Sequence, residues 1–327
     1  MRPKIYITRK IPEKALIILE QQFDIEMWQE QETPVPYDIL KKKVENIDGL
    51  FCLLTENIDK ELLDHATKLK IVSNMAVGYN NIDVDAASEK EIMVTNTPGV
   101  LTETTADLTF GLLMATSRRL IEASNYLKED LWKTWSPMQL TGQDIYGSTL
   151  GIVGLGRIGQ AVAKRAQGFN MRVIYHNRTR KRGLEKDLQV EYVELDNLLK
   201  QSDFVCVLTP YTPNTHHLIG KEELKKMKET AILINTSRGG TIDESALQQA
   251  LEKNWIWGAG LDVFENEPID SNHPLVGLSN VVTLPHIGSA SIATRTKMAT
   301  LAADNLMKGL NGELPDYLVN NEVFHLK

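Results

Sequence analysis

The chain has 327 residues, a formal net charge of -7 and a hydrophobic share of 42%. That length exceeds one ordinary domain and suits two, each able to bury its own core, while the acidic balance argues against nucleic acid or an anionic membrane as the main partner and favours small anions. No apolar run approaches the roughly 20 residues of a membrane span, and the amino end passes directly into strand-like alternation at KIYIT with no leader pattern. Cys52 and Cys206, the only cysteines, lie in the apolar runs FCLL and FVCVL and read as buried thiols of a protein in a reducing cytoplasm.

From the amino end, strand-like and helix-like segments alternate. KIYIT is followed by a helix from about Pro12, the strand DIEMW, a loop punctuated by Pro34 and Pro36, and a helix from Tyr37. GLFCLL, a helix from Asp59 and the strand KIVSNM continue the series, which is the pattern of a mostly parallel α/β sheet. Residues 103–127 predict one long apolar-rich helix, and LWKTW at 131–135 breaks it. A second series then runs through TLGIVGLGRIG, MRVIY, VEYVEL, DFVCVL, AILINT, WIWGAGLDV and NVVTLPH, about the central length that a dinucleotide fold of six strands needs. The last long helix, from Ser291 to about Leu310, is followed by only a short tail, so it is free to return to the first domain. The expected organisation is one domain of residues 101–286 inserted into another made of 1–100 and 287–327.

The segment TLGIVGLGRIG, at 149–159, reads as a buried strand, a glycine-rich turn and the start of a helix over 157–167. A dinucleotide pyrophosphate requires this arrangement, because it must approach the backbone closely and rest on the unpaired N–H groups of a helix N-terminus. Gly154 makes the tight turn, Gly156 leaves room for phosphate, and Gly159 lets the helix pack on its strand. The acidic residue that would chelate the ribose hydroxyls of NAD, about twenty positions further on, is missing. In its place MRVIY ends in His176, Asn177, Arg178, Thr179, Arg180, Lys181 and Arg182, a tip that suits a 2′-phosphate. NADP(H) is therefore favoured over NAD(H).

Arg238, Glu267 and His286 stand at or just beyond the ends of successive apolar runs in the second series. Ligands of open α/β sheets bind outside the carboxyl ends of the strands, so these three can converge. Reduction of a 2-keto acid needs a fixed cation for the carboxylate and carbonyl, and a proton donor for the oxygen that becomes a hydroxyl; Arg238 and His286 supply both. A neighbouring carboxylate favours the charged imidazole, which is the part for Glu267. Taken singly, such residues are ordinarily a surface ion-pair partner, a turn residue and a loop histidine. The chain shows no dense run of His, Asp and Glu that would point to a metal, and this chemistry requires none.

INTSRGG at 234–240, GAGLDVFENEP at 258–268 and LPHIGSAS at 284–291 resemble, in order and spacing, the signature segments of the D-isomer-specific 2-hydroxyacid dehydrogenase family, especially its glyoxylate/hydroxypyruvate reductase branch. The likeness extends over nearly the whole chain, including VGLGRIG and SNMAVGYNNID at 73–83. It implies an α/β protein of two Rossmann-like or flavodoxin-like parallel-sheet domains, the dinucleotide-binding domain inserted into the substrate domain. It also implies Arg238 as the substrate-binding arginine, His286 as the proton donor and Glu267 as its partner, with the backbone N–H groups at Val77 and Gly78 on the substrate carboxylate. The cofactor contacts implied are Leu155, Arg157 and Ile158 for the pyrophosphate, and Asn177, Arg178 and Thr179 for the adenosine end. On the nicotinamide side they are Thr236, Ser237 and Arg238, with Asp262 on the carboxamide and Pro210 bordering the adenosine pocket. Trp132 and Trp135 resemble tryptophans of which one reaches a neighbouring subunit's active site, here assigned to Trp135, and a homodimer is implied. The helix at 103–127 has more apolar surface than one domain needs and is placed at the interface, burial inside its own domain being the competing account. The activity implied is NADPH-dependent reduction of glyoxylate or hydroxypyruvate by hydride transfer, the substrate lying between the domains. A 2-ketogluconate or 3-phosphoglycerate type of reductase would share these residues, and a nucleotide-sensing binding protein without catalysis is the alternative from another class.

Overall fold

The structure, a computed structural model, describes residues 2–326, and the chain divides into two compact units, 1–101 with 289–327 and 102–288. The first opens with β1 (Lys4–Ile7), α1 (Glu13–Glu20), β2 (Asp24–Met27), α2 (Tyr37–Val44), β3 (Gly49–Cys52), α3 (Lys60–His65), β4 (Ile71–Asn74), α4 (Val84–Glu89) and β5 (Met93–Thr95). Its parallel sheet has the order β2-β1-β3-β4-β5, and every residue of β3, β4 and β5 is buried, as expected of strands covered on both faces. The helices begin where the sequence provides caps: the Asp59 and Asp83 carboxylates accept the N–H groups of Leu62 and Ala86. The turn from α4 into β5, with Glu91 in the left-handed region, supplies a fifth strand that the alternation up to KIVSNM did not announce.

The second unit begins with α5 (Thr102–Ser117) and α6 (Leu120–Lys128), then β6 (Thr149–Val153), α7 (Arg157–Gln167), β7 (Arg172–His176), α8 (Arg182–Leu188) and β8 (Val190–Tyr192). It continues through α9 (Leu195–Gln201), β9 (Phe204–Val207), α10 (Lys221–Lys226), β10 (Ile232–Asn235), α11 (Glu244–Glu252), β11 (Gly258–Leu261) and β12 (Val281–Thr283). The sheet is parallel, in the order β12-β11-β10-β9-β6-β7-β8, with the strand order reversing between β6 and β9. It has seven strands, one for each of the seven segments from TLGIV to NVVT and one more than a dinucleotide fold of six strands, and β12 pairs with β11 through Ala259, Gly260 and Leu261.

The long helix expected over 103–127 is two helices. The carbonyl of Ser117 accepts the N–H of Gln143 at 2.9 Å in place of the next helical turn, and Arg119 takes a left-handed φ of 51°. That approach needs Gly142, since a Cβ there would meet the Ser117 oxygen at 2.0 Å. The two pieces have opposite fates. Ala106, Thr109, Phe110, Leu112, Leu113 and Thr116 bury α5 in its own unit, whereas α6 buries no residue and leaves Leu120, Ile121 and Leu127 about half exposed. Much of the apolar surface of α5 is thus buried in the core of its own unit.

The chain returns to the first unit with α12 (Ile292–Leu310), capped by Ser291. Met298, Ala299, Ala302, Ala303 and Leu306 lie on Ile5, Ile7, Phe51 and Ile71, one face of the sheet, while Tyr6, Leu50, Val72 and Val94 face the other core. This is the period-two alternation of a strand read out as two cores.

Candidate active site

The glycine turn forms as its residue types require. Gly154 has φ 106°, and a Cβ on it would meet the Leu208 carbonyl carbon at 2.8 Å. Beside Gly156 the same construction meets nothing within 4 Å, and Gly159 sits against the Gly154 carbonyl, where a Cβ would be 2.3 Å away. The exposed Gly156 caps α7, whose first turn carries Arg157 and no acid, so its unpaired N–H groups face a cradle that suits an anion. Leu155 takes a different part: its side chain is buried in the core and its N–H donates to Asn177 Oδ1 at 2.7 Å. Asn177 thereby ties the end of β7 to the turn.

Beyond Asn177 the basic run divides. Arg180 is committed to Glu185, Nε to Oε1 at 2.7 Å and Nη2 to Oε2 at 2.8 Å, and lies over the Tyr192 ring. That bidentate pair, with the Tyr175 hydroxyl donating to the same carboxylate, holds Glu185 at a pKa of about 2. Arg178 and Thr179 are exposed, and Arg178 has no acid partner among the described residues. An open glycine cradle, a helix N-terminus and an uncommitted guanidinium together fit a dinucleotide.

At the other edge, the ends of β10, β11 and β12 interlock. Buried Asn235 shapes the loop after β10: its Nδ2 donates to the Arg238 carbonyl at 3.0 Å and to Thr241 Oγ1 at 3.3 Å, and its Oδ1 accepts from Ser237 N at 3.0 Å and Oγ at 2.8 Å. Thr236 is buried with its hydroxyl 2.7 Å from that of Thr109 on α5. Gly239 lies so close to the loop after β11 that a Cβ would fall 1.8 Å from the Phe264 carbonyl carbon, which carries Arg238 to the segment of Glu267.

Glu267 accepts the Phe264 N–H at 2.9 Å through Oε1, and His286 Nδ1 lies 2.6 Å from Oε2. Burial works against its charge, but the hydrogen bond and charge of His286, the Phe264 N–H and the Arg238 guanidinium together hold the carboxyl below its ordinary value. Burial draws Arg238 down from its ordinary pKa, and Glu267 opposes this. One carboxylate therefore faces both the imidazole and the guanidinium. His286 has φ 53°, a conformation histidine adopts more readily than most residues, and its N–H donates to the Asp262 carbonyl at 2.9 Å. The Asp262 carboxylate accepts the N–H groups of Ile287 and Gly288, each at 2.7 Å, although burial still pushes its pKa up. Asp262 is thus a clamp on the histidine loop, and with Nδ1 bonded to Glu267, Nε2 is the ring atom left for a reacting group.

In the first unit, the side chain of buried Asn74 donates to the Gly78 carbonyl at 3.0 Å and that of Asn96 to the Val77 carbonyl at 2.8 Å. The loop is held by its oxygens, and the N–H groups of Val77 and Gly78 have no acceptor among the described residues. Asn74, Asn96, Asn235 and Thr241 are positioning residues that motif reading passed over; the one sequence signal of the three asparagines is a polar residue where an apolar strand ends, and Thr241, in the turn at Gly239–Thr241, has none. Pro210 heads a turn closed by Thr215 Oγ1, which donates to its carbonyl at 2.8 Å. Trp132 and Trp135 are 56% and 75% exposed, so neither is a packing residue of its own unit.

Residues 110–288 match the model of the D-isomer specific 2-hydroxyacid dehydrogenase NAD binding domain. The chain belongs to that family. It is 52% identical over 328 residues to a glyoxylate reductase of Korarchaeum cryptofilum, covering 100% of this chain and 98% of the relative. A glyoxylate reductase of Pyrococcus horikoshii is 51% identical with the same coverage. Among solved structures, a Thermus thermophilus protein superposes with a TM-score of 0.91 at 46% identity, covering 97% of this chain and 99% of its own. An NADPH-dependent glyoxylate/hydroxypyruvate reductase from Sinorhizobium meliloti, solved with NADP and malonate, gives 0.86 at 35% identity, covering 98% and 97%. The chain is accordingly an oxidoreductase, an NAD(P)-dependent 2-hydroxyacid dehydrogenase. No helix among its described residues is long and apolar enough to cross a membrane.

Proposed function

We propose that the chain reduces glyoxylate and hydroxypyruvate to glycolate and D-glycerate with NADPH, using His286 as proton donor. The observation that carries this is the 2.6 Å contact between His286 Nδ1 and Glu267, made on a loop whose backbone Asp262 holds on three sides. The relatives named glyoxylate reductase at about half identity over the full chain supply the substrate class.

A nicotinamide cofactor, when bound, would supply the hydride for the carbonyl carbon. Arg238 holds the substrate carboxylate and polarises the carbonyl, and the unengaged N–H groups of Val77 and Gly78 donate to the same anion. Protonated His286 gives its Nε2 proton to the carbonyl oxygen as negative charge develops there, while Glu267 stabilises the imidazolium before transfer and fixes the ring through Nδ1. Glu267 stays ionised throughout, in keeping with its lowered pKa. The products are the 2-hydroxy acid and the oxidised cofactor, and the histidine regains its proton from solvent.

For the cofactor, Gly156, Arg157 and Ile158 would take the pyrophosphate on the N-terminus of α7, and Arg178 with Thr179 the 2′-phosphate. Pro210 borders the adenosine, and Thr236, Ser237 and Asp262 the nicotinamide side. We also propose a homodimer whose contact is the segment after the helix break, where Leu127, Trp132, Trp135 and Met138 are all more than half exposed. Trp135 is the residue of that segment assigned to the neighbouring subunit's substrate.

A panel of 2-keto acids assayed with NADPH and with NADH tests the assignment. Glyoxylate and hydroxypyruvate should be the best substrates and NADPH the better reductant. Turnover confined to a longer or phosphorylated keto acid would move the chain to another activity of the family, and binding of cofactor without turnover of any acid would overturn catalysis.

A further inference from the structure

We propose that His216, His217 and Glu265 form a site for one divalent transition-metal ion of the zinc class. Their ligand atoms all lie within 4.8 Å of one another, although Glu265 is 48 residues from His217 in sequence and no run of ligands announces the cluster. Two imidazoles and a carboxylate are a borderline donor set that suits Zn2+ and its first-row neighbours, whereas Mg2+ and Ca2+ prefer oxygen donors throughout.

The cluster is built on anchored backbone. The N–H of His217, at φ 50°, donates to the Gly240 carbonyl at 2.8 Å, and the N–H of Glu265 donates to Glu244 Oε1 at 2.7 Å. The side chains themselves are accessible; those of His217 and Glu265 are each 35% exposed. Nδ1 of His216 is 3.2 Å from the Tyr211 hydroxyl, and Tyr211 is wedged on Gly240, where a Cβ would meet its ring at 2.7 Å. A ring that donates Nδ1–H to an oxygen presents the lone pair of Nε2, which is how outer partners orient histidine ligands. Nε2 of His217 now lies 3.0 Å from Glu265 Oε1, and the two imidazoles stack with centroids 3.8 Å apart. The His217–Glu265 pair alone would not need His216 or Tyr211; a third donor held in the same space, with its ring oriented, is what a metal uses. Loading would place the ion among both Nε2 atoms and the carboxylate, the His217 ring carrying its N–H on Nδ1 and the Nε2 contact with Glu265 giving way to the metal. It would tie the turn at 210–217 to the loop that ends in Glu267, without touching Glu267 or His286.

The test is a calorimetric titration of the full chain, stripped with chelator and desalted, with Zn2+. The expected result is one ion per chain, with affinity weakened at least about tenfold in His216→Ala and in Glu265→Gln and unchanged in His286→Asn. Thermal unfolding, followed with and without Zn2+, should rise on loading in the unaltered chain and not in the first two variants, whose unloaded melting points report that they fold. Absence of saturable binding, binding unaltered in both cluster variants, or binding abolished by His286→Asn would each overturn the site.

Discussion

The two ends of the second sheet are built on opposite plans. At the turn after β6, recognition is left to backbone and open groups: a glycine with empty space beside it, the first N–H groups of α7, and Arg178 without an acid partner. At the ends of β10, β11 and β12 the key polar groups are already engaged, Asn235 with its loop, Asp262 with the backbone after His286, and Glu267 with Phe264 and His286. Where a ligand is only held, its own phosphates can complete the hydrogen bonds. Where a proton must move, the donors have to be in place beforehand, because reorganisation during reaction would cost rate.

The largest effect should come from breaking the organised end at its reacting atom. His286→Ala is expected to lower kcat by about 10²- to 10⁴-fold while leaving NADPH affinity unchanged, as steady-state kinetics and a fluorescence titration of bound NADPH would show. Equal losses in both would mean that the histidine serves the cofactor and not the proton.

Glu267 sharpens the contrast through pH. Its folded pKa is depressed, so the stabilisation it provides is present above the ordinary glutamate value of 4.5 and is lost as pH falls through its lower folded value. The stability difference between the unaltered chain and Glu267→Gln, measured by urea unfolding, should be constant above that ordinary value and shrink below it. A difference that grows on acidification would contradict the ion-pair description.

Much of this was legible because α/β periodicity and glycine chemistry are local. The helix over 157–167 follows from its spacing and its capping glycine, and the helix from Ser291 from a serine side chain that caps it. What stayed hidden depends on distant partners. Nothing within 103–127 reports that Gln143 will take the Ser117 carbonyl and end the helix, and the three residues Met93–Thr95 become a strand only where β4 offers them an edge. The candidate site beyond β10 to β12 was readable as residue types, Arg238, Glu267 and His286, but not the Asn235 and Asp262 hydrogen bonds that hold their loops, which involve backbone groups of any sequence. Arg178 and Arg180 look alike in the chain; only the fold shows Glu185 claiming the second.

Asn235 joins the two levels, since its side chain is 1% exposed and serves four groups of the Arg238 loop. Asn235→Ala should destabilise the chain by about 1–3 kcal/mol, because buried partners lose their hydrogen bonds, and should raise the KM for keto acid more than that for NADPH. Urea unfolding and paired kinetic titrations measure the two effects, and an unchanged KM for the acid would detach this loop from substrate binding.

The open end should respond most gently and most selectively. Arg178→Ala is expected to reduce kcat/KM for NADPH about tenfold, equivalent to about 1.4 kcal/mol, while leaving kcat/KM for NADH unchanged, because a guanidinium at that tip can matter only to the extra phosphate. Arg180→Ala should discriminate less, since its guanidinium is already satisfied by Glu185 and would have to give up two hydrogen bonds of 2.7 and 2.8 Å to reach a ligand. If the two variants lose NADPH preference equally, the Arg180–Glu185 pair opens on binding, and the basic tip is as adaptable as the catalytic end is fixed. If neither loses it, phosphate recognition lies elsewhere than in the strand-end cations.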